Sequence, residues 1–287
     1  MSEVAHPRAD ALDGFSTSEL LELMHGEDRS AIESVHTAVE QIANAVDQVA
    51  LRLRSGGHLH YFGAGTSGRL AVLDAAECPA TFGVAEDLVQ AHAAGDGEAE
   101  DDHGRGVRDA KHAGLTPHDA VIGVSASGLT AYVLAALGEA RQAGALVVGL
   151  SCAAGSPLGK AADIAIEVDV GPEVIAGSTR LKAGTAQKVA LNMISTGVFM
   201  RLGHTYRGRM VGIVTTNEKQ RRRAERMVRE LTGCSAETLD TALRDAGGSP
   251  KVAILMLRFG IDAGEARHRL SSASGDLAVA LGERDPQ

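Results

Sequence analysis

Apolar positions along the chain follow two alternating rhythms, and the alternation predicts a parallel sheet covered by helices. Ser16 to Asp28 reads as a short helix that Ser16 or Ser18 can cap ahead of Leu20, Leu21 and Met24. Ile32, Val35, Val39, Ile42, Val46, Val49 and Leu53 then recur at three- and four-residue steps, the period of a longer helix that Ser55-Gly-Gly57 ends. Short apolar runs follow, and His58–Phe62, Leu88–His92, Asp119–Ser125, Ala145–Ser151 and Ile164–Val168 read as strands. Helices are expected after the first and third of these, from Arg69 to Ala76 and from Thr130 to Ala143. Residues 93–106 are expected to form an acidic, glycine-rich loop leading to another helix. Continuous apolar strands alternating with helices are the pattern of a parallel sheet buried on both faces.

Arg180–Leu202 is apolar almost all round, which predicts a buried helix and, through it, a homodimer contact. From Asn217 onward the pattern is helical only, in pieces broken at Gly233, Gly247-Gly248-Ser249-Pro250 and Gly260. The expected organisation is N-terminal helices over 1–54, a sheet domain over 55–216 and a small helical domain over 217–287.

Charge and composition narrow the function classes. The 287 residues carry 28 Lys+Arg against 37 Asp+Glu, a net charge of −9, which disfavours binding to nucleic acid. Aromatics are 3% with no Trp, too few for base-stacking platforms. Cys78, Cys152 and Cys234 form no C-x-x-C pair, so a reduced, cytoplasmic protein is expected. No apolar run reaches the roughly 20 residues of a membrane span, and the first residues lack a signal-peptide layout. Glycine is in excess, 34 residues, which predicts tight turns and close backbone approaches.

Two turns carry the candidate chemistry. Gly63-Ala-Gly65-Thr66-Ser67-Gly68 follows a strand and opens a helix, the context of a dinucleotide fingerprint. The ribose-binding acid of that fingerprint should end the next strand, whereas Glu86 and Asp87 precede it, so the register is wrong for a dinucleotide. Hydroxyls beside backbone N–H groups at a helix start suit a single phosphate instead. Ser125-Ala-Ser127-Gly128-Leu-Thr130 is a second turn of the same kind, and two such turns in one parallel sheet can converge on one ligand. Singly, each is as well explained as an ordinary capped turn; the pair favours phosphate.

Residues 63–83, Gly-Ala-Gly-Thr-Ser-Gly-Arg-Leu-Ala-Val-Leu-Asp-Ala-Ala-Glu-Cys-Pro-Ala-Thr-Phe-Gly, resemble the signature of the N-acetylmuramic acid 6-phosphate etherases. Further similar blocks are Ser125–Val133, Gly177–Lys188, Thr216-Asn-Glu-Lys219 and Thr232–Ala236, in order along the chain. The resemblance implies a flavodoxin-like α/β sandwich, the sugar isomerase (SIS) domain, followed by a small helical domain. It implies a homodimer acting on a phosphosugar; the elimination chemistry calls for no metal or cofactor, and charge and composition lead us to expect no nucleic-acid or membrane partner. The implied reaction cleaves the D-lactyl ether of N-acetylmuramic acid 6-phosphate, giving N-acetylglucosamine 6-phosphate and D-lactate, in amino-sugar catabolism and cell-wall recycling.

Such an ether leaves most readily by elimination. In the open-chain sugar the C2 proton lies α to the aldehyde, so a base can take it while an acid protonates the leaving ether oxygen, and water then adds. Two carboxyl groups suit these roles. By resemblance Glu77, at the expected C-terminal end of the helix before Pro79, is the acid, and Glu100 is the base. Glu100 is chosen over Glu98 and Asp101 by the Ala-Glu-Asp match alone, and an acidic run of this kind usually faces solvent.

Gly65, Thr66, Ser67, Gly68, Ser125, Ser127, Gly128 and Thr130 are the expected phosphate and substrate contacts. Lys182 is a candidate for neutralising the anion, although a Lys on a long helix is by default a surface residue. Glu173, Ser178 and Arg180 precede that helix and are within reach of sugar hydroxyls or the lactyl carboxylate. A non-catalytic sugar-phosphate sensor and an aldose–ketose isomerase are the competing readings, and only an etherase has use for both carboxyls. His58, His60, His92, His103, His112 and His118 show no metal-ligand spacing, and the basic run Lys219–Arg229 reads as a solvated helix face.

Overall fold

The structure is a computed structural model, and it describes residues 4–95, 97–213 and 218–285. By its internal contacts the chain divides into two compact units, one of residues 1–76 and 87–197, the other of 77–86 and 198–287. The boundary expected at 216/217 and the Thr216-Asn217 pair of the fourth block lie outside the described residues.

In the first unit, α1 (Thr17–Val35) starts at Ser16 in a reciprocal cap: the Ser16 hydroxyl accepts from the Glu19 N–H, and the Glu19 carboxylate accepts from the Ser16 N–H. The helix expected to stop at Asp28 therefore runs on to Val35. A 3-10 turn over His36–Ala38 then re-aims the chain into α2 (Val39–Arg54).

The sheet follows. Its elements are β1 (Leu59–Ala64), α3 (Gly65–Phe82), β2 (Val89–Ala94), α4 (Glu98–Asp101), α5 (His103–His112), β3 (Ala120–Ser125), α6 (Ala131–Gln142), β4 (Leu146–Ser151), α7 (Pro157–Ala161), β5 (Ile164–Glu167) and α8 (Lys182–Arg201). The five strands are all parallel in the order β2-β1-β3-β4-β5. All five expected strands are present, shifted by no more than two residues at either end. The stretch expected as a loop over 93–106 is instead the end of β2, α4 and the start of α5.

Helices cover both faces of this sheet. Phe62, Val121 and Val147 pack against α5, α6 and α7 on one side. On the other, α2 lies along β3 to β5. There α8 meets α2 where a Cβ on Gly197 would lie 2.9 Å from Val46, and meets α3 through the Ser195–Asp74 hydrogen bond.

Among its described residues, the regular structure of the second unit is helical apart from one hairpin. β6 (Thr205–Tyr206) and β7 (Arg209–Met210) pair antiparallel through Arg207 and Gly208, whose φ values of 48° and 69° are those of the turn that suits two-residue hairpins. Two residues per strand are too few to carry a readable pattern. α9 (Glu218–Thr232), α10 (Ala236–Asp245), α11 (Pro250–Phe259), α12 (Ala263–Ser272) and α13 (Leu277–Ala280) follow, around Val211, Val228, Val252, Ile254 and Leu255. Capping is explicit, with Ser235, Ser249, Asp262 and Asp276 each accepting backbone N–H bonds at a helix start. Among the described residues no helix is long and apolar enough to cross a membrane.

Candidate active site

The strand order reverses direction between β1 and β3: from β1 the chain goes to one side, and from β3 to the other. In an open parallel sheet this is where a crevice opens beyond the carboxyl ends of the strands. The two hydroxyl-rich turns leave from these two strands.

The first turn is tighter than the sequence suggests. β1 ends at Ala64 and α3 begins at Gly65, so Thr66 and Ser67 already belong to the helix's first turn. Gly65 has φ of +54°, where an L side chain is strained. Gly63 and Gly68 permit a close approach of helix to strand: a Cβ on Gly63 would lie 2.9 Å from the Gly68 backbone, and one on Gly68 would lie 2.8 Å from the Gly63 carbonyl oxygen. Ser67 is buried and its hydroxyl donates to Gln187 Oε1 at 2.9 Å, on α8. Thr66 is half-buried, with its methyl 3.5 Å from where a Cβ on Gly184 of α8 would stand.

The second turn is wired to itself. Ser125, at the end of β3, shares a 2.8 Å hydrogen bond with the Thr130 hydroxyl and accepts the Gly128 N–H at 3.0 Å. Thr130 is thereby diverted from capping α6, whose first N–H groups have no side-chain cap. Gly128 has φ of +69°, and a Cβ there would lie 2.5 Å from Ser156 Cβ. Ser127 is half-buried, and its hydroxyl accepts a longer 3.2 Å bond from the Leu129 N–H.

A cavity of about 320 Å³ opens beside this turn, lined by Ser127, Leu129, Cys152, Glu173, Thr179 and their neighbours. Glu173 is 1% exposed, and its carboxylate accepts the N–H groups of Lys182 and Ala183 at 2.9 and 3.0 Å, capping α8 from nine residues upstream. Lys182 is buried rather than at the surface: its ammonium donates to Glu27 of α1 and to the Pro172 carbonyl, so its charge is already matched. It stands behind the cavity wall, 3.9 Å from where a Cβ on Gly171 would be. Ser178 is half-buried in the turn before α8. Burial first, then the Glu173 and Asp169 charges, pushes the Cys152 thiol up to about 12, so it is inert at neutral pH.

Neither expected catalytic carboxyl lines this cavity. Glu77 is exposed on α3, which continues through Pro79 to Phe82, so it sits inside the helix and not at its end. Proline removes only its own N–H from the ladder, while stacking of Phe82 on Phe199, 4.5 Å between ring centres, anchors the last turn. Glu100 is half-buried on α4, the four-residue helix between β2 and α5.

α8 is not apolar all round. Asn192, Thr196 and Met200 form an exposed stripe at four-residue steps. Gln187 and Glu27 were not singled out from the sequence. Gln187 lies within the Gly177–Lys188 block, and no local pattern marks Glu27. Among the described residues, no group of three or more His, Cys, Asp and Glu side chains could hold a metal ion.

The SIS domain family matches residues 104–197, from α5 into α8. Similarity to curated sequences runs nearly end to end. The chain is 45% identical over 288 residues to the N-acetylmuramic acid 6-phosphate etherase of Geobacillus thermodenitrificans, covering 98% of each chain. It is 48% identical to the enzyme of the same name from Rubrobacter xylanophilus, over 99% of this chain and 96% of that one. Among solved structures, an E. coli CFT073 protein in complex with A5P superposes with a TM-score of 0.52 at 18% identity, covering 68% of this chain and 97% of that one. The phosphoheptose isomerase GmhA of Neisseria gonorrhoeae gives 0.51 at 19% identity, covering 64% and 99%. At these identities the structures establish the fold alone.

Proposed function

The chain belongs to the N-acetylmuramic acid 6-phosphate etherase family, and on that premise we propose that it cleaves the D-lactyl ether of N-acetylmuramic acid 6-phosphate in amino-sugar catabolism. The observation that carries the reading is the end-to-end family match, and the two hydroxyl-rich turns at the sheet's switch point are consistent with a phosphosugar ligand. Incubation with N-acetylmuramic acid 6-phosphate should release D-lactate and N-acetylglucosamine 6-phosphate in equal amounts. Release of neither would overturn the reading.

In this reading the phosphate sits where the starts of α3 and α6 converge, held by backbone N–H groups and by Thr66, Ser67, Ser127 and Thr130. Ser125, Gly65, Gly68 and Gly128 shape the two turns, while Glu173 and Lys182 set the start of α8 beside the cavity and Ser178 borders it. In the open-chain substrate, Glu100 takes the C2 proton, and the electron pair left on C2 forms the C2–C3 double bond as the C3–O bond breaks. Glu77 protonates the departing oxygen, so lactate leaves with its hydroxyl. Water then adds its oxygen to C3 and gives a proton to Glu77, while Glu100 returns its proton to C2, giving N-acetylglucosamine 6-phosphate and restoring both carboxyls.

Glu77 is better suited to a second copy's substrate than to its own. It follows Thr66 by eleven residues on one helix, about 16 Å along the axis. The six bonds from phosphorus to the C3 oxygen, each about 1.5 Å, span no more than about 9 Å. An exposed Glu77 with the apolar Val72 and Leu73 beside it in solvent fits a homodimer in which this helix edge faces the partner's pocket. Cys78, Cys152 and Cys234 form no disulfide with one another, and two of them are buried, which fits a cytoplasmic site of action.

A further inference from the structure

Gln187 lies on α8 with 1% of its surface exposed, and only half of its amide is matched. Oε1 accepts the Ser67 hydroxyl at 2.9 Å, while Nε2 is fully buried and has no hydrogen-bond partner. Buried donors without partners are rare in folded proteins, whereas an under-bonded carbonyl oxygen is better tolerated. A primary amide has nearly the same shape when its oxygen and nitrogen change places. Reversed, Nε2 would donate to Ser67 Oγ, and the Ser67 hydroxyl hydrogen would be released from Gln187. The two arrangements hold Ser67 in the same place and differ in whether its hydrogen is turned into the protein or is available at the first turn of α3.

Resting on the reading that Ser67 serves the substrate's phosphate, we propose that Gln187 is a positioning residue. With its amide reversed, Nε2 donates to Ser67 Oγ and leaves the Ser67 hydroxyl hydrogen to donate to the anion. The placement fits the role. Gly184, three residues earlier and on the same face of α8, lies against Thr66. Burial keeps Gln187 out of direct reach of the ligand, so its effect must pass through Ser67.

That dependence supplies the test. Affinity for N-acetylglucosamine 6-phosphate is measured by calorimetry on the full chain and on Gln187→Met, Ser67→Ala and the double variant, with melting temperatures recorded alongside. Gln187→Met and Ser67→Ala should each weaken Kd about tenfold, and the double variant should be no weaker than Ser67→Ala, because the residues act as one unit. Steady-state kinetics on N-acetylmuramic acid 6-phosphate should show the Gln187→Met loss in KM, with kcat changed less than threefold. A wild-type Kd in Gln187→Met, or a hundredfold loss in the double variant, overturns the proposal. If Gln187→Met fails to fold, Gln187→Leu decides: it removes both amide groups without adding charge, so unchanged binding overturns the proposal and a tenfold or greater loss supports it. Wild-type protein that does not bind the phosphosugar overturns the functional reading, and this inference falls with it.

Discussion

The two turns at the switch point use the same residue types and are built differently. In the first, glycines at 63 and 68 are consumed by packing α3 onto β1, and the buried hydroxyl of Ser67 is committed to a different helix. In the second, Ser125, Gly128 and Thr130 bond to one another across five residues, so the turn holds its own shape. A hydroxyl can therefore shape a turn or serve a ligand, and composition alone does not say which. The partners of each oxygen separate the two uses: Ser125 is bound twice within the turn and Thr130 once, Ser67 depends on α8, and Ser127 is the least committed.

The largest effects should come from outside both turns, which sharpens the division between holding and reacting. Glu100→Gln and Glu77→Gln should each lower D-lactate release by about 10² to 10⁴-fold. Glu100→Gln should also abolish exchange of the C2 proton with deuterated water, whereas Glu77→Gln should leave exchange measurable. Mixed dimers of Glu77→Gln with Ser127→Ala should recover part of the lost activity if Glu77 serves its partner's pocket. Recovery no greater than the sum of the two parents would place both residues in one chain's site.

Acid should act on the first turn's strand before the second's. His60 on β1 lies against His92 on β2, with Nδ1 and Nε2 3.2 Å apart. Burial first, then repulsion from His92 and His58 against the attraction of Asp119, lowers its pKa from 6.5 to about 4. Burial likewise lowers that of His92, opposed by Asp109. Between pH 6.5 and 4 the unfolded chain thus holds the proton that folded His60 refuses. The stability from neutral His60 is full above pH 6.5 and is lost as pH falls towards 4, by up to about 3 kcal/mol. Urea unfolding across this range should show the loss, and His60→Phe should flatten it; an unchanged profile in the variant would remove His60 as the cause.

At the turns themselves, Gly68→Ala should destabilise by about 1 to 3 kcal/mol through overpacking on the Gly63 carbonyl and Ala93. Gly128→Ala carries a positive φ as well as the clash with Ser156, and should cost at least as much. Thermal melts would measure both. A tolerated alanine at 68 would mean that α3 can lift from β1 and that the first turn is less rigid than its glycines imply.

The central strands were legible because Ala120–Val124 and Leu146–Leu150 are continuous apolar runs with no other stable home than a doubly covered sheet, and the outer strands followed from their place in the alternation. The hydroxyl turns were legible because they sit between strand and helix signals. What escaped was set by contacts distant in sequence. Ser67 and Gln187 are 120 residues apart, and Lys182 meets Glu27 across 155, so no local spacing announces either pair. Helix ends escaped for a related reason: Pro79 reads as a terminator, yet the stacking of Phe82 on Phe199 carries α3 past it. The acidic run at 98–102 reads as solvated loop, and only the structure separates Glu100, half-buried on α4, from the exposed Glu98.

The smallest predicted effect discriminates best between the two uses of a hydroxyl. Ser125→Ala removes the acceptor for the Gly128 N–H and the partner of Thr130 at a position 2% exposed, so it should lower stability by about 1 to 3 kcal/mol. Ser127→Ala removes only a 3.2 Å bond from the Leu129 N–H at a half-buried position, so the melting temperature should hardly move. Its hydroxyl borders the cavity, however, and losing one hydrogen bond to an anion should weaken binding of N-acetylglucosamine 6-phosphate by about 0.5 to 3 kcal/mol. Unphosphorylated N-acetylglucosamine should bind the variant and the wild type alike. If Ser127→Ala destabilises as much as Ser125→Ala while phosphosugar affinity holds, then Ser127 too belongs to the turn's own wiring. The phosphate would then rest on the backbone N–H groups of α3 and α6 and on Thr66, Ser67 and Thr130.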